Sequence, residues 1–354
     1  MAYPSPERQI EFLTNLQRLL SEGLFVATYK YALLMALADL CVEYGKDDDG
    51  PLEIPTRRIA EKFIQYYWRQ SVPFVPQADP AQEQVLRQNT GNQAGIIRAV
   101  LTARSQYGGS IADACRDERN WRRLVGRVDR VVREMPLWKL QTVGGERLDF
   151  LYDNTGTGTQ ITLRPGVPYC FRKHYRLIAD LVRGAWARYV RRFNTQLLGT
   201  TSDLHEFLFG GERASLAAVK PILLEFQKGD CFYCHRPLRD ESAHVDHFVP
   251  WSRYPVDLGH NFVLAHATCN SQKSDRLACA SHLNAWVAQA ERSGPELARE
   301  YDRTGISNDF ATSVRIVNWA YTQTFECRGL TWVENDRLEP LPPGWAQPLK
   351  GLLN

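Results

Sequence analysis

No run in the 354 residues approaches the roughly eighteen apolar residues needed to cross a bilayer. The start, MAYPSPERQ, lacks the charged-then-apolar layout of a secretory signal, so a cytoplasmic protein without a membrane partner is expected. No internal repeat or low-complexity tract is present, which excludes solenoids and disordered tails. The formal charge of +3 is too small to diagnose a nucleic-acid partner, so any electrostatic case rests on where the charges lie. Cys41, Cys115, Cys170, Cys279 and Cys327 stand singly among apolar neighbours, which argues against a disulfide framework.

What is present is organised in helical stretches. Ser5 can cap and Pro6 can open a helix whose Ile10, Leu13, Leu16, Leu19 and Leu20 recur at helical spacing. YKYALLMALADLCVEYG reads as a second helix stopped by Gly45, and Ile59, Phe63, Ile64 and Tyr67 mark a third. A winged-helix-like module and a plain bundle fit these three equally well. Residues 75–95, polar with Pro and Gly, read as a linker or long exposed loop.

Helices are expected around 96–105 and 117–134, then a hairpin in LWKLQTVGGERLDFLYDN with Gly144 and Gly145 at its turn. A helix near 170–194 puts Tyr175, Ile178, Val182, Trp186 and Tyr189 on one face and Arg172, Lys173, Arg176, Arg183 and Arg191 on the other. Arg116, Arg119, Arg122, Arg123, Arg127, Arg130 and Arg133 form a second basic stretch, diluted by Asp113, Asp117, Glu118 and Asp129. Both stretches are candidates for tracking phosphates, the first more than the second. The turn NTGTGTQ, residues 154–160, is a weak phosphate loop because it lacks the Lys-Ser/Thr pair. Later helices in SHLNAWVAQAERSG and DFATSVRIVNWAYTQTFE precede a short LTWV strand and a proline-rich end.

Residues 231–275 hold three of the eight cysteines and five of the eight histidines. Cys231 and Cys234 form a CxxC pair, and His266 and Cys269 an HxxC pair. Three thiolates and an imidazole suit tetrahedral Zn²⁺, and four protein ligands leave no open position, so the expected zinc is structural. Between the pairs lie HVDHFVP and HNFVLAH, and CNSQKSD comes after them.

This segment resembles the HNH nucleases, the ββα-metal fold, of the subclass with a zinc-knuckle scaffold. The matching positions are Asp246, His247, Asn261 and Asn270, an HNN variant. The chemistry suits these residue types. A hard divalent ion, Mg²⁺ or Mn²⁺, takes oxygen ligands such as Asp246 and the Asn270 amide, and a neutral His247 imidazole can act as general base near pH 7. The resemblance implies water attack with a single metal, products with 5′-phosphate and 3′-hydroxyl ends, and an Asn261 that braces the loop holding the base. Strict strand alternation would send Asp246 and His247 to opposite faces, so they share a site only at a strand end or bulge. His244 is expected to support the site, with a ligand role as the alternative, and Thr268 can cap the following helix. Lys273, three residues past Asn270, and Arg276 are candidate phosphate contacts, as are Arg172 and Arg176. His235 and His260 match no ligand position and, with His174, His205 and His282, read as surface or core histidines.

The expected fold is mainly α with α+β. Residues 1–200 form a mostly helical recognition or regulatory region with a break near 75–95, 215–285 the HNH module, and 286–354 a helical C-terminal extension. The expected activity is DNA phosphodiester hydrolysis, and the order of parts is similar to HNH proteins of bacterial restriction and phage-defence loci. The alternatives are a zinc-stabilised nucleic-acid-binding regulator that does not cleave and an HNH nuclease acting on RNA. A homodimer is favoured weakly, since a double-strand cut from one site calls for two subunits or two binding events. Any activating partner or signal is left open.

Overall fold

The computed structural model describes residues 3–76, 81, 83–91, 95–153, 158–198, 203–210, 216–239 and 242–353. The fold is mainly α, with small two-stranded sheets. It divides into two compact units, Met1–Gly210 and Gly211–Asn354. No helix among the described residues is long and apolar enough to cross a membrane.

Unit 1 contains α1 (Pro6–Glu22), α2 (Tyr29–Tyr44), β1 (Leu52–Pro55), α3 (Thr56–Gln70), α4 (Gly95–Gln106), α5 (Ile111–Arg116), α6 (Glu118–Glu134), α7 (Pro136–Lys139), β2 (Thr142–Val143), β3 (Glu146–Arg147), β4 (Gln160–Leu163), α8 (Val167–Lys173), α9 (Tyr175–Phe193), α10 (Thr195–Leu198) and α11 (Leu204–Phe209). Ser5 caps α1 by accepting from the Arg8 N–H. Helix α2 is apolar on every side and buried from Lys30 to Glu43, as a helix enclosed by neighbours must be. Its polar groups are paired: Lys62 Nζ lies 2.6 Å from Glu43, and Tyr66 and Tyr175 donate to Asp39 at 2.6 and 2.7 Å. Trp186 packs on Tyr31, Tyr66 and Tyr67 beside it.

Several expectations need correction here. Of the two readings of 75–95, the described part is the long, largely exposed loop and no free linker: Leu86 and Gln88 are buried, the Thr28 N–H donates to the Gln88 carbonyl, and Gln88 accepts from the Trp186 indole. Residues 77–80, 82 and 92–94 lie outside the described residues. The hairpin at Gly144 and Gly145 is only two residues deep on each side, because Pro136–Lys139 turn helical. Both glycines have positive φ, 58° and 92°, the tight turn that β-carbons resist. Strands β1 and β4 pair antiparallel, a contact between distant segments too short to announce themselves. Most of the NTGTGTQ turn, residues 154–157, lies outside the described residues.

The helix expected over 170–194 is broken at His174. Arg172 therefore falls on α8, where it is buried. Its guanidinium clamps Asp47 at 2.8 and 2.9 Å and donates to the Cys41 and Val42 carbonyls. It closes the C-terminal end of α2 and is withdrawn from any phosphate. Arg176, on α9, is exposed, but its outward neighbours include Leu177, Asp180 and Leu181.

Unit 2 contains α12 (Leu216–Phe226), β5 (Ala243–His247), β6 (Phe262–His266), α13 (Ala267–Lys273), α14 (Ala280–Thr304), α15 (Phe310–Glu326), β7 (Leu330–Glu334), β8 (Arg337–Pro340) and α16 (Lys350–Leu353). β5 and β6 pair antiparallel from Ala243↔His266 to His247↔Phe262. One side of this hairpin meets α12 and α14 through Val219, Leu223, Leu264, Leu297 and Tyr301. Gly259 is required where the loop meets α14, since a β-carbon there would lie 2.3 Å from the Tyr301 ring. Helix α14 runs through Gly294 and Pro295 to Thr304, past the end the sequence suggests, and the LTWV strand gains a partner in β8.

Candidate metal centre and catalytic hairpin

The four side chains expected to hold zinc converge. Cys231, Cys234, His266 and Cys269 bring one donor atom each to within 4.8 Å of all the others. The Cys231 and Cys234 sulfurs come from the turn after α12, which is pinned to β6 where the Phe232 N–H donates to the Leu264 carbonyl. His266 Nδ1 lies 3.3 Å from Cys234 Sγ, and Nε2 faces the Pro237 carbonyl at 3.2 Å. That carbonyl accepts a hydrogen bond from Nε2–H and leaves Nδ1 as the ligand atom, the outer bond that orients a metal-binding imidazole. Burial, with the Cys231 and Cys234 sulfurs beside it, pushes the Cys269 thiol up to about 12. A dication reverses that, because it binds the thiolate form. The donor set fits structural zinc.

Helix α13 begins two residues earlier than a Thr268 cap would place it, with His266 as its N-cap and Thr268 inside the first turn. Thr268 therefore does not cap it. The metal cluster fixes the helix start instead, with one ligand at the cap and Cys269 three residues on. Asn270 comes next, half-buried, and Lys273 one turn later.

The register of β5 and β6 runs without a bulge, so Asp246 and His247 turn to different surroundings. Asp246 is 7 % exposed. Its Oδ2 accepts from the Tyr233 hydroxyl at 2.6 Å and pairs with Lys273 Nζ at 2.9 Å. Lys273 is fully buried and also donates to the His247 carbonyl at 2.9 Å. Burial draws its ammonium below the ordinary lysine range, with Asp246 acting in the opposite sense. The same burial, with Asp246 close by, raises Tyr233 well above the usual phenol range. Lys273 is thus an internal counter-ion here and is withdrawn from phosphate contact, contrary to expectation. Arg276, past the end of α13, is exposed.

His247 ends β5 in a half-buried position. Its Nε2 lies 2.8 Å from Asp257 Oδ1, and its ring meets Trp251 and Phe262 edge-on. A carboxylate on Nε2 selects the tautomer with the proton there and leaves the Nδ1 lone pair free. Asp257 and Tyr233 are the polar partners that sequence reasoning missed. Both reach the Asp246–His247 pair through turns of the chain that leave no spacing signal. Asn261 accepts from the Val249 N–H at 2.8 Å and donates to the Val249 carbonyl at 3.0 Å, which ties down the chain just past His247. Phe248 adds an N–H to the Asn261 carbonyl. His244 is exposed, and among the described residues it has no bonded partner. His260 is buried with Nε2 on the Gly294 carbonyl, and His282 packs on Tyr233 and Trp332.

The model of the family described as HNH endonuclease matches residues 231–276, the segment that holds the Cys₃His cluster, the β5–β6 hairpin and α13. The chain as a whole belongs to the family described as a domain of unknown function (DUF8808), whose model matches residues 9–208, more than half of its length. Comparison with curated proteins and with solved structures gives no match.

Proposed function

We propose that the chain is a metal-dependent HNH endonuclease that hydrolyses DNA phosphodiester bonds, with His247 as general base. The observation that carries this reading is the His247–Asp257 pair at the end of a strand held by the zinc-ligand turn. Asp257 accepts a hydrogen bond from Nε2–H, so Nδ1 can accept a proton from the attacking water. Asn261 holds the following residues and keeps the imidazole in place. Asp246 and the Asn270 amide supply oxygen donors for a divalent ion, Mg²⁺ or Mn²⁺. Both contacts to Asp246 fall on Oδ2, and the side chain keeps 9 % exposure, so Oδ1 is the atom for that ion. A bound cation there offsets charge on the phosphoryl and leaving oxygens. By resemblance, the products carry 5′-phosphate and 3′-hydroxyl ends. A restriction or anti-phage setting is the context that the order of parts suggests.

One observation favours a second reading. The Lys273 ammonium already balances the Asp246 charge, as it would in a zinc-stabilised binding module that does not cut. Plasmid DNA and a matched RNA, each incubated with purified protein in Mg²⁺, Mn²⁺ or EDTA, separate the two. The nuclease reading expects metal-dependent nicking of DNA that falls roughly 10²- to 10⁴-fold in His247→Ala. Asp257→Asn should cut more slowly while keeping its zinc, because the imidazole loses its orientation. DNA left intact under every condition by a zinc-loaded protein supports the binding module, and cleavage confined to RNA moves the substrate class.

A further inference from the structure

Two basic stretches stand out in unit 1, and the structure gives them opposite characters. On α9 the outward face mixes Arg176 and Arg188 with Leu177, Asp180 and Leu181, and Arg172 is lost to the interior. On α6 the inward face is Val125, Val128 and Val132, and the outward face carries Arg119, Arg122, Arg123, Arg127 and Arg130. The acids that dilute this stretch in sequence largely lie elsewhere on the helix. Asp129 is buried and holds Arg133, Asp117 caps the helix, and Glu118 engages Arg122. Among the described residues, Arg119, Arg127 and Arg130 have no ion-pair partner, and Arg123 donates to the Asn120 amide oxygen and lies near the Asp117 carboxylate.

In the middle of this stripe lies Gly126, exposed in the interior of a 17-residue helix. A β-carbon added there would meet nothing within 4 Å. Glycine in a helix interior is destabilising relative to alanine, and nothing inside the protein requires it here. A surface approached closely by something else does. Beside the stripe, between α4 and α6, lies a groove of about 180 Å³ with an apolar part, which includes Trp121 and Leu124, and a polar part to which Arg123 and Arg127 contribute. Its Thr102, Gln106, Tyr107 and Asn120 are bonded within the protein, to the Arg98 carbonyl, to one another and to Asp117, and Arg123 and Arg127 are the groove's groups suited to phosphate oxygens.

We infer that the outer face of α6 is the surface on which the chain holds the phosphate backbone of duplex DNA, with Gly126 as the point of closest approach. The partner is a polyanion and not a lipid surface, because none of the exposed large apolar side chains lies within α6 and its own apolar face is already buried. The inference takes DNA as substrate from the nuclease reading, but its test does not need cleavage.

The test is the anisotropy of a fluorescent 30-base-pair duplex of arbitrary sequence, titrated in EDTA with full-length, zinc-loaded protein over a range of salt. Arg119→Gln/Arg127→Gln/Arg130→Gln should weaken binding at least tenfold and flatten the slope of log affinity against log salt by roughly 0.9 for each phosphate no longer neutralised. Arg188→Gln/Arg192→Gln on α9 is the matched control and should bind as wild type. Gly126→Ala should raise the melting temperature and weaken binding together, a combination that damage to the fold does not give. Unchanged affinity and slope in the triple variant overturn the inference, as does a stabilised Gly126→Ala that binds like wild type. Binding to anionic vesicles that depends on the same arginines while duplex DNA is ignored also overturns it. Loss of binding in the triple variant of a protein that never cleaves leaves the inference standing and removes the nuclease reading.

Discussion

Unit 1 is built around α2, a helix enclosed on all sides, and closes its few internal charges with Lys62, Arg172 and a pair of tyrosines. The β5–β6 hairpin of unit 2, with the helix after it, has two five-residue strands and a seven-residue helix. Its helix start, its turn and the end of β6 meet at four metal-ligating side chains. A large apolar core can be trimmed at one side chain and keep its shape. A small module that joins its elements at a single cluster cannot.

The strongest way to break this comparison is to remove the metal. Chelation, or Cys231→Ser, should unfold the hairpin of unit 2, with a loss on the order of 10 kcal/mol of metal-linked folding energy. Amide exchange in α2 and α3 should stay slow, and equal acceleration in both units would refute the contrast. A smaller effect sharpens it. Lys62→Met strands Glu43 and Lys273→Met strands Asp246, each an uncompensated buried charge that costs about 3 to 5 kcal/mol. The first should loosen exchange only in unit 1 and the second only in unit 2.

The smallest effect is in pH. Burial holds His260 and His282 in unit 2, and His174 in unit 1, below the ordinary histidine range. Each folded pKa lies beneath its unfolded value, so the unfolded chain binds more protons in the window between them. Stability is therefore full above about 6.5 and declines as pH falls from there toward the folded values. Denaturant midpoints at pH 7.5, 6.5 and 5.5 should show the decline, and His260→Gln should make unit 2 less sensitive to it.

The four side chains of the candidate metal site and the hairpin-helix order were legible because a metal site is written in spacing and residue type. The helices were legible because their apolar residues recur. The features that escaped the sequence depend on where a helix breaks or a loop returns. Arg172 reads as part of a basic face only if one helix runs through His174, and the break turns it inward. Lys273 was placed on the correct face of α13, but that face points into the protein. Asp257 comes to His247 across a loop of irregular backbone, which no periodicity describes.

The hairpin also leans on later parts of the chain. Phe248 stacks between Trp286 and Tyr321, and Tyr233, which holds Asp246, packs on Trp332. The Cys279 and Trp332 N–H groups donate to the Trp332 and Leu277 carbonyls, joining β7 to the segment after α13. During synthesis unit 1 emerges from the ribosome with its core complete, whereas the hairpin waits for residues about a hundred positions downstream of Tyr233. A chain cut short before Trp332 would thus carry the Asp-His pair without the packing that holds it.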